Sequence, residues 1–300
     1  INPVAAPAGS ELDRCQPLVF ESMRVARAVD GDRVEVIAVG YDEDRAMSPD
    51  QAVFHELPET SLRDLVGDPS VRKLPRIADI LHTGAAATGA SHLIYTNTDI
   101  VLQPSFYAWV RAELDRGVHD ALVINRRRVA ERYETVGDLP ALWADPGLPH
   151  PGFDCFVCPR SWVDDLVLDD LVVGVPFVGV GLAHNVFARA ENPWTVHGLQ
   201  LTKHVGLEVL PPVDERLKAH NRAAFERVRA VLQTSYDLQR FPYAHRGLAG
   251  RGLGWALNPS IFVRDWRRLE GRGFARRLKT TLDEVRWRVL DVLGSGRQGR

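Results

Sequence analysis

The sequence predicts an α/β protein: a mostly parallel sheet flanked by helices over residues 1–210, then a helical C-terminal extension over residues 211–300. Short β-rich runs alternate with stretches of helical periodicity through about residue 210, the order that a sheet with crossover helices requires. Pro211-Pro212 then punctuates the chain. Beyond it, apolar residues recur at helical spacing and the alternating, strand-like pattern stops.

Composition agrees with a packed globular chain. Apolar residues make up 45% and charged residues 25% of the 300, enough for a full core. The net charge of −2 argues against a general nucleic-acid binder. Three scattered cysteines do not form a disulfide framework, so a reducing, cytoplasmic setting is expected. No apolar run approaches the roughly 18–20 residues of a membrane span, and no basic-then-apolar leader opens the sequence.

Along the chain, residues 1–6 read as a first strand and residues 20–29 as a helix. Residues 33–40 (RVEVIAVG) are a strong strand running into the acidic Tyr41-Asp42-Glu43-Asp44. Residues 45–70 read as loop with a short strand and helix. Residues 72–82 carry Leu74, Ile77, Ile80 and Leu81 at helical spacing, with Pro75 suited to a first turn. Residues 91–95 and 100–102 are apolar strand on either side of Thr96-Asn97-Thr98-Asp99. Residues 106–116 are helical, and 121–125 and 154–157 are strands. The second of these is preceded by His150-Pro151-Gly152. In the last ninety residues, Asp214 can cap a helix bearing Leu217, Ala224, Val228, Val231 and Leu232. A second stripe runs Phe274, Leu278, Leu282, Val285, Val289, Leu293, flanked by arginines.

In an open sheet, ligands gather at the carboxyl ends of strands. Asn97 and Asp99 sit where an apolar strand stops, and one intervening residue points both side chains to the same side of an extended segment. Such a pair can hold a divalent cation through oxygen ligands, and the cation can take up the charge of a departing diphosphate. The alternative is an Asx turn that merely closes the strand.

Three segments in order, RVEVIAVGYDED, RKLPRIADIL and HLIYTNTDIVL, decide between them. Together they resemble the GT-A glycosyltransferases, whose Rossmann-like domain has a strand, a polar turn, a helix, and a strand ending in an Asp-x-Asp motif. The resemblance covers residues 1–210. It implies that Asp42 or Asp44 lies near the base or ribose of a nucleotide-diphosphate sugar, and Arg72 or Lys73 near its diphosphate. Asn97 stands where the motif has its first Asp, which lowers the site's negative charge. Asp99 remains as the direct ligand of Mn²⁺ or Mg²⁺. Thr202-Lys203-His204-Val205-Gly206 looks like the element that adds a histidine ligand, with His197 as the competitor for that role. His150-Pro151-Gly152-Phe153-Asp154 falls between donor sugar and acceptor. It makes His150 and Asp154 the candidate catalytic residues, Asp154 as sugar ligand or general base.

Other features carry a plainer meaning. Cys155 and Cys158 lie three apart in a strand, on opposite faces, so they do not form half a zinc site. Arg126-Arg127-Arg128 reads as a solvated loop after a strand. Gly174, Gly179 and Gly181 lack the strand-to-helix spacing of a dinucleotide fingerprint and read as a loop near the acceptor. The stripe over residues 274–293 is expected to pack on the catalytic domain or to pair two subunits as a homodimer. A peripheral membrane contact is the alternative.

The function these readings support is transfer of a sugar from a nucleotide-diphosphate donor to an acceptor hydroxyl, the acceptor being a carbohydrate or another alcohol. The absence of any acidic residue between Leu171 and Ala190 favours a retaining mechanism. Two rivals remain. A nucleotidyltransferase should carry a Gly-rich basic loop where this chain has AAPAGSELDRCQP, and a non-catalytic carbohydrate-binding or scaffolding protein on the same fold is suggested by Asn97.

Overall fold

A computed structural model describes residues 1–58, 60–71, 73–129, 132–205, 215–237 and 240–241. The chain begins with α1 (Glu11–Val29), β1 (Val36–Gly40), β2 (Ala52–Glu56) and α2 (Leu62–Val66). It continues through α3 (Ile77–Ala86), β3 (His92–Thr96), β4 (Ile100–Leu102), α4 (Phe106–Asp115) and β5 (Ala121–Val129). Then come α5 (Leu139–Ala144), β6 (Leu148–Pro159), α6 (Val178–Arg189), β7 (Pro193–Val196), β8 (Thr202–Val205) and α7 (Glu215–Leu232).

Local chemistry explains the boundaries. α1 starts at Glu11 because the Ser10 side chain accepts from Asp13 N–H, and the acidic Glu11 and Asp13 sit favourably at its N-terminus. It therefore reaches well upstream of residue 20, where apolar periodicity first becomes visible. Residues 1–6 form no strand, although Val39 N–H donates to Ile1 O at 2.9 Å and so ties this segment to β1. Pro75 precedes α3 and does not enter its first turn.

The α/β architecture with helices on the sheet faces is as the sequence implies, but strand directions are mixed. The main sheet has six strands in the order β3-β6-β5-β8-β4, with β7 pairing β5, and β1 and β2 form a separate parallel pair. β6 runs antiparallel to β3 and β5, and β4 antiparallel to β8, while β5 is parallel to β7 and β8. The helix–strand alternation that suggested a mostly parallel sheet reports layering; it carries no information about which distant strand each one meets.

Three stretches read as loop are ordered elements. Arg126–Arg128 belong to β5, and His150-Pro151-Gly152 belong to β6. Gly179 and Gly181 lie in α6; a Cβ at Gly179 would fall 2.4 Å from Phe153 O, so glycine there lets the helix touch β6.

Alternate residues of the central strands enter opposite cores. Ala121, Val123, Phe153 and Phe156 pack with α3, α6 and α7, whereas Leu122, Ile124, Cys155 and Val157 pack with α1, α4 and α5. Cys155 thus lies in one core while Cys158 packs against the other. α7, which falls in the segment expected to form a helical extension, buries Ala224, Phe225, Val228 and Leu232 in the core it shares with α6. Asp214, Arg72 and the 274–293 stripe, with the homodimer expected from it, lie outside the described residues. No helix among the described residues is long and apolar enough to cross a membrane.

Candidate functional site

β3 and β4 are consecutive in sequence yet occupy opposite ends of the main sheet. The Asn97-Thr98-Asp99 turn between them bridges the gap where β5 changes partners. On one edge β5 pairs β6 along its length, with register shifts between Ile124, Asn125 and Arg127; on the other it pairs β7 through its first half and β8 through its second. A bulge at such a point re-aims side chains. Here Arg126 of β5 and Asp154 of β6 meet under the turn.

Asp99 precedes Ile100, whose register partner on β8 is His204. Asp99 Oδ2 lies 3.3 Å from His204 Nε2, and Glu11 Oε1 from the start of α1 lies 3.9 Å from the same nitrogen. The other carboxylate oxygen of Asp99 is buried without a hydrogen bond among the described residues, as is His204 Nδ1. Burial pushes the Asp99 carboxyl up, but His204 and Arg126 together pull it further the other way, and it stays below the usual carboxylate range.

Asp154 is held differently. Arg126 Nη1 sits 2.7 Å from its Oδ1, and Asn97 Nδ2 donates to the same oxygen at 3.4 Å. Burial dominates its titration, with Asp99 adding to it, so its pKa is raised despite Arg126. Asn97 Oδ1 accepts from Tyr95 O–H at 3.3 Å, so its amide is engaged at both ends. Burial also raises the Tyr95 phenol well above its ordinary range.

A divalent cation fits part of this arrangement. Neighbouring ligand atoms on an octahedral ion with bonds of about 2.1 Å lie about 3 Å apart, close to the Asp99–His204 separation. Among the described residues, no group of three or more His, Cys, Asp and Glu side chains converges as a ready-made metal site. The remaining coordination positions would fall to substrate oxygens and water.

The other sequence candidates are dispersed. Asp42 is exposed and paired with Arg45 at 3.0 Å. Asp44 is buried just beyond β1, accepts from Ala5 N–H at 2.7 Å, and has its pKa raised by that burial. Lys73 pairs with Glu43 at 2.8 Å and lies 4.0 Å above the Tyr41 ring. Asp42, Asp44 and Lys73 therefore cluster at the end of β1. His150 lies on β6, and His197 is exposed in the turn between β7 and β8. Periodicity missed Arg126, Tyr95 and Glu11. A basic residue inside a β-rich run was the available signal for Arg126, hidden by its two arginine neighbours.

No protein-family profile matches this chain, and no curated protein sequence does. Solved structures do. Residues 1–349 of S. aureus TarS, crystallised with UDP-GlcNAc, align at 10% identity over 89% of this chain and 77% of that one, with a TM-score of 0.51. Glucosyl-3-phosphoglycerate synthase from Mycobacterium tuberculosis, solved with Mn²⁺, UDP-glucose and phosphoglyceric acid, aligns at 15% identity over 76% of this chain and 87% of that one, with a TM-score of 0.38. At such identities the TarS likeness is one of architecture: the chain has the GT-A fold of nucleotide-sugar glycosyltransferases.

Proposed function

We propose that this protein transfers a sugar from a nucleotide-diphosphate donor to an acceptor hydroxyl, using Mn²⁺ or Mg²⁺. The observation that carries the reading is the 3.3 Å approach of Asp99 to His204 across the β4–β8 pair, at the split in a GT-A sheet. Asp99 and His204 would hold the metal, which supplies positive charge to offset that of the leaving diphosphate. Lys73, with Arg72 beside it in sequence, would face the phosphates, and Asp42 or Asp44 the nucleoside. Asp154, oriented by Arg126 and Asn97, would hold the sugar or acceptor, with His150 on the same strand. Catalysis would consist of positioning and fixed charge. The segment AAPAGSELDRCQP supports this reading over a nucleotidyltransferase: it forms the approach to α1 and its first turns and makes no Gly-rich cradle. The setting proposed is cytoplasmic, with peripheral membrane contact as a variant of it.

The test is release of nucleoside diphosphate from a panel of nucleotide sugars with Mn²⁺. UDP-GlcNAc comes first, since TarS was crystallised with it. Turnover lost in Asp99→Ala supports the assignment. Binding without turnover for every donor and acceptor would favour the non-catalytic alternative suggested by Asn97.

A further inference from the structure

The connection from α5 to β6 delivers Asp154 to the site, and two cations on neighbouring strands grip it. Lys203 of β8 is fully buried. Its ammonium donates to Leu142 O at 2.8 Å, to Trp143 O at 2.7 Å, and to Asp145 O, so its three N–H groups meet three carbonyls. Arg127, its register partner on β5, donates from Nη2 to Gly147 O at 3.0 Å and from Nε to Pro146 O. Two adjacent side chains thus take up the carbonyls of Leu142, Trp143, Asp145, Pro146 and Gly147. A cation suits the last turn of a helix, where carbonyls run short of partners and carry partial negative charge.

The same turn is tied to β4. Trp143 Nε1 donates to Leu102 O at 2.9 Å, and Gln103 Nε2 donates to Trp143 O at 3.0 Å. Gly147 has φ +55°, and a Cβ there would come 2.6 Å from Arg128 O, so the turn lies flat against β5. Side chains alternate along a strand, so Lys203 points away from the face on which its neighbour His204 meets Asp99. The strand is pinned from behind at the point where it presents its histidine. β6 begins from the gripped turn, with Arg127 paired to Pro149, and runs on to Asp154.

We propose that Lys203 and Arg127 are positioning residues of the Asp99–His204–Asp154 centre: by clamping the α5–β6 turn they set where His204 and Asp154 stand, and so the affinity of the centre for a metal-bound nucleoside diphosphate. This rests on the reading of that centre as the donor site. A clamp that served stability alone would leave the centre's geometry and affinity unchanged in any variant that still folds.

The whole chain is labelled with ¹⁵N at its histidines, and the His204 ring signals are identified by their loss in His204→Gln. Lys203→Met keeps the hydrocarbon and removes the cation. Arg127→Met does the same at a partly exposed position and keeps a folded protein in hand should Lys203→Met not fold. In folded variants the His204 ring shifts move, and affinity for UDP with Mn²⁺ falls by about tenfold or more, the range seen when outer partners of metal ligands are removed. Arg127→Lys recovers most of that loss. Folded Lys203→Met or Arg127→Met protein with wild-type His204 shifts and wild-type affinity overturns the proposal. Should the wild type itself not bind UDP with Mn²⁺, the donor-site reading fails by itself, and the His204 shifts alone then decide the clamp.

Discussion

His184 makes the protein's stability depend on pH. It lies on α6, buried, with its ring stacked on Phe241 at 3.9 Å and packed against Phe225 and Tyr236. Neither ring nitrogen has a hydrogen-bond partner among the described residues. Burial, helped by the Arg229 charge on α7, lowers its pKa from the usual 6.5 to about 3. The unfolded chain therefore takes up a proton near pH 6.5 that the folded chain refuses until about pH 3. The stabilisation is complete above pH 6.5 and is lost as pH falls towards 3. At about 1.4 kcal/mol per pH unit, the loss reaches about 2 kcal/mol by pH 5 and at most about 5 kcal/mol across the window. His184→Phe removes the titration while keeping an aromatic ring among aromatic neighbours. Its stability at pH 7.5 should lie within about 1.5 kcal/mol of wild type. Urea denaturation at pH 7.5, 6.5, 5.5 and 5.0 should then show the variant gaining on wild type at every step below 6.5. Parallel stability profiles over that range would refute the argument.

Asp99→Ala should abolish nucleoside diphosphate release while leaving the far-ultraviolet circular dichroism spectrum unchanged, and calorimetry of UDP with and without Mn²⁺ should show His204→Ala losing only the metal-dependent part of binding. Arg126→Met strands a buried Asp154 carboxylate and should cost about 3–5 kcal/mol in chemical denaturation. Adding Asp154→Asn should recover much of this, and strictly additive losses would contradict the pairing. Gly179→Ala should destabilise by about 1–3 kcal/mol because its Cβ meets Phe153 O, whereas Gly84→Ala, in α3 with only an ordinary contact to Val39, should be neutral or stabilising by up to about 1 kcal/mol; paired thermal melts check both.

Elements whose signal is local were legible. β1, β3, β4 and α4 follow from runs whose apolar pattern is complete within a few residues, and each lies within a few positions of where periodicity puts it. Strand partners were not legible, because Ile100 meets His204 and Arg127 meets Pro149 through contacts that no local window contains. The beginning of β6 shows why Pro and Gly misled. Residues 148–153 pair with β5 alone, since the pairing of β6 with β3 starts only at Cys155. Proline has no N–H to donate, and where its nitrogen faces the unpaired side no ladder bond is lost. Gly152 O is satisfied by the Asn125 side chain at 2.7 Å, where the register shifts. A strand can therefore be written there in turn residues.

The site divides along the same line. Asp99 is visible as a carboxylate at the end of an apolar strand, a place where a charge without a task is costly. His204 was found only through resemblance, and its justification is a register: β4 and β8 must pair before the imidazole reaches the carboxylate. Lys203 stands furthest from legibility. In Thr-Lys-His-Val it looks like the solvent-facing position of an alternating strand, yet it is fully buried, because a turn fifty-eight residues earlier supplies the Asp145 carbonyl for its third proton. Burying an ammonium is tolerable only when every donor is met, and a turn so gripped has little freedom to move. The residues that hold this centre in place are therefore chosen by a distant backbone, whereas those that face the substrate are chosen by chemistry, and only the second kind of choice leaves a mark in the local sequence.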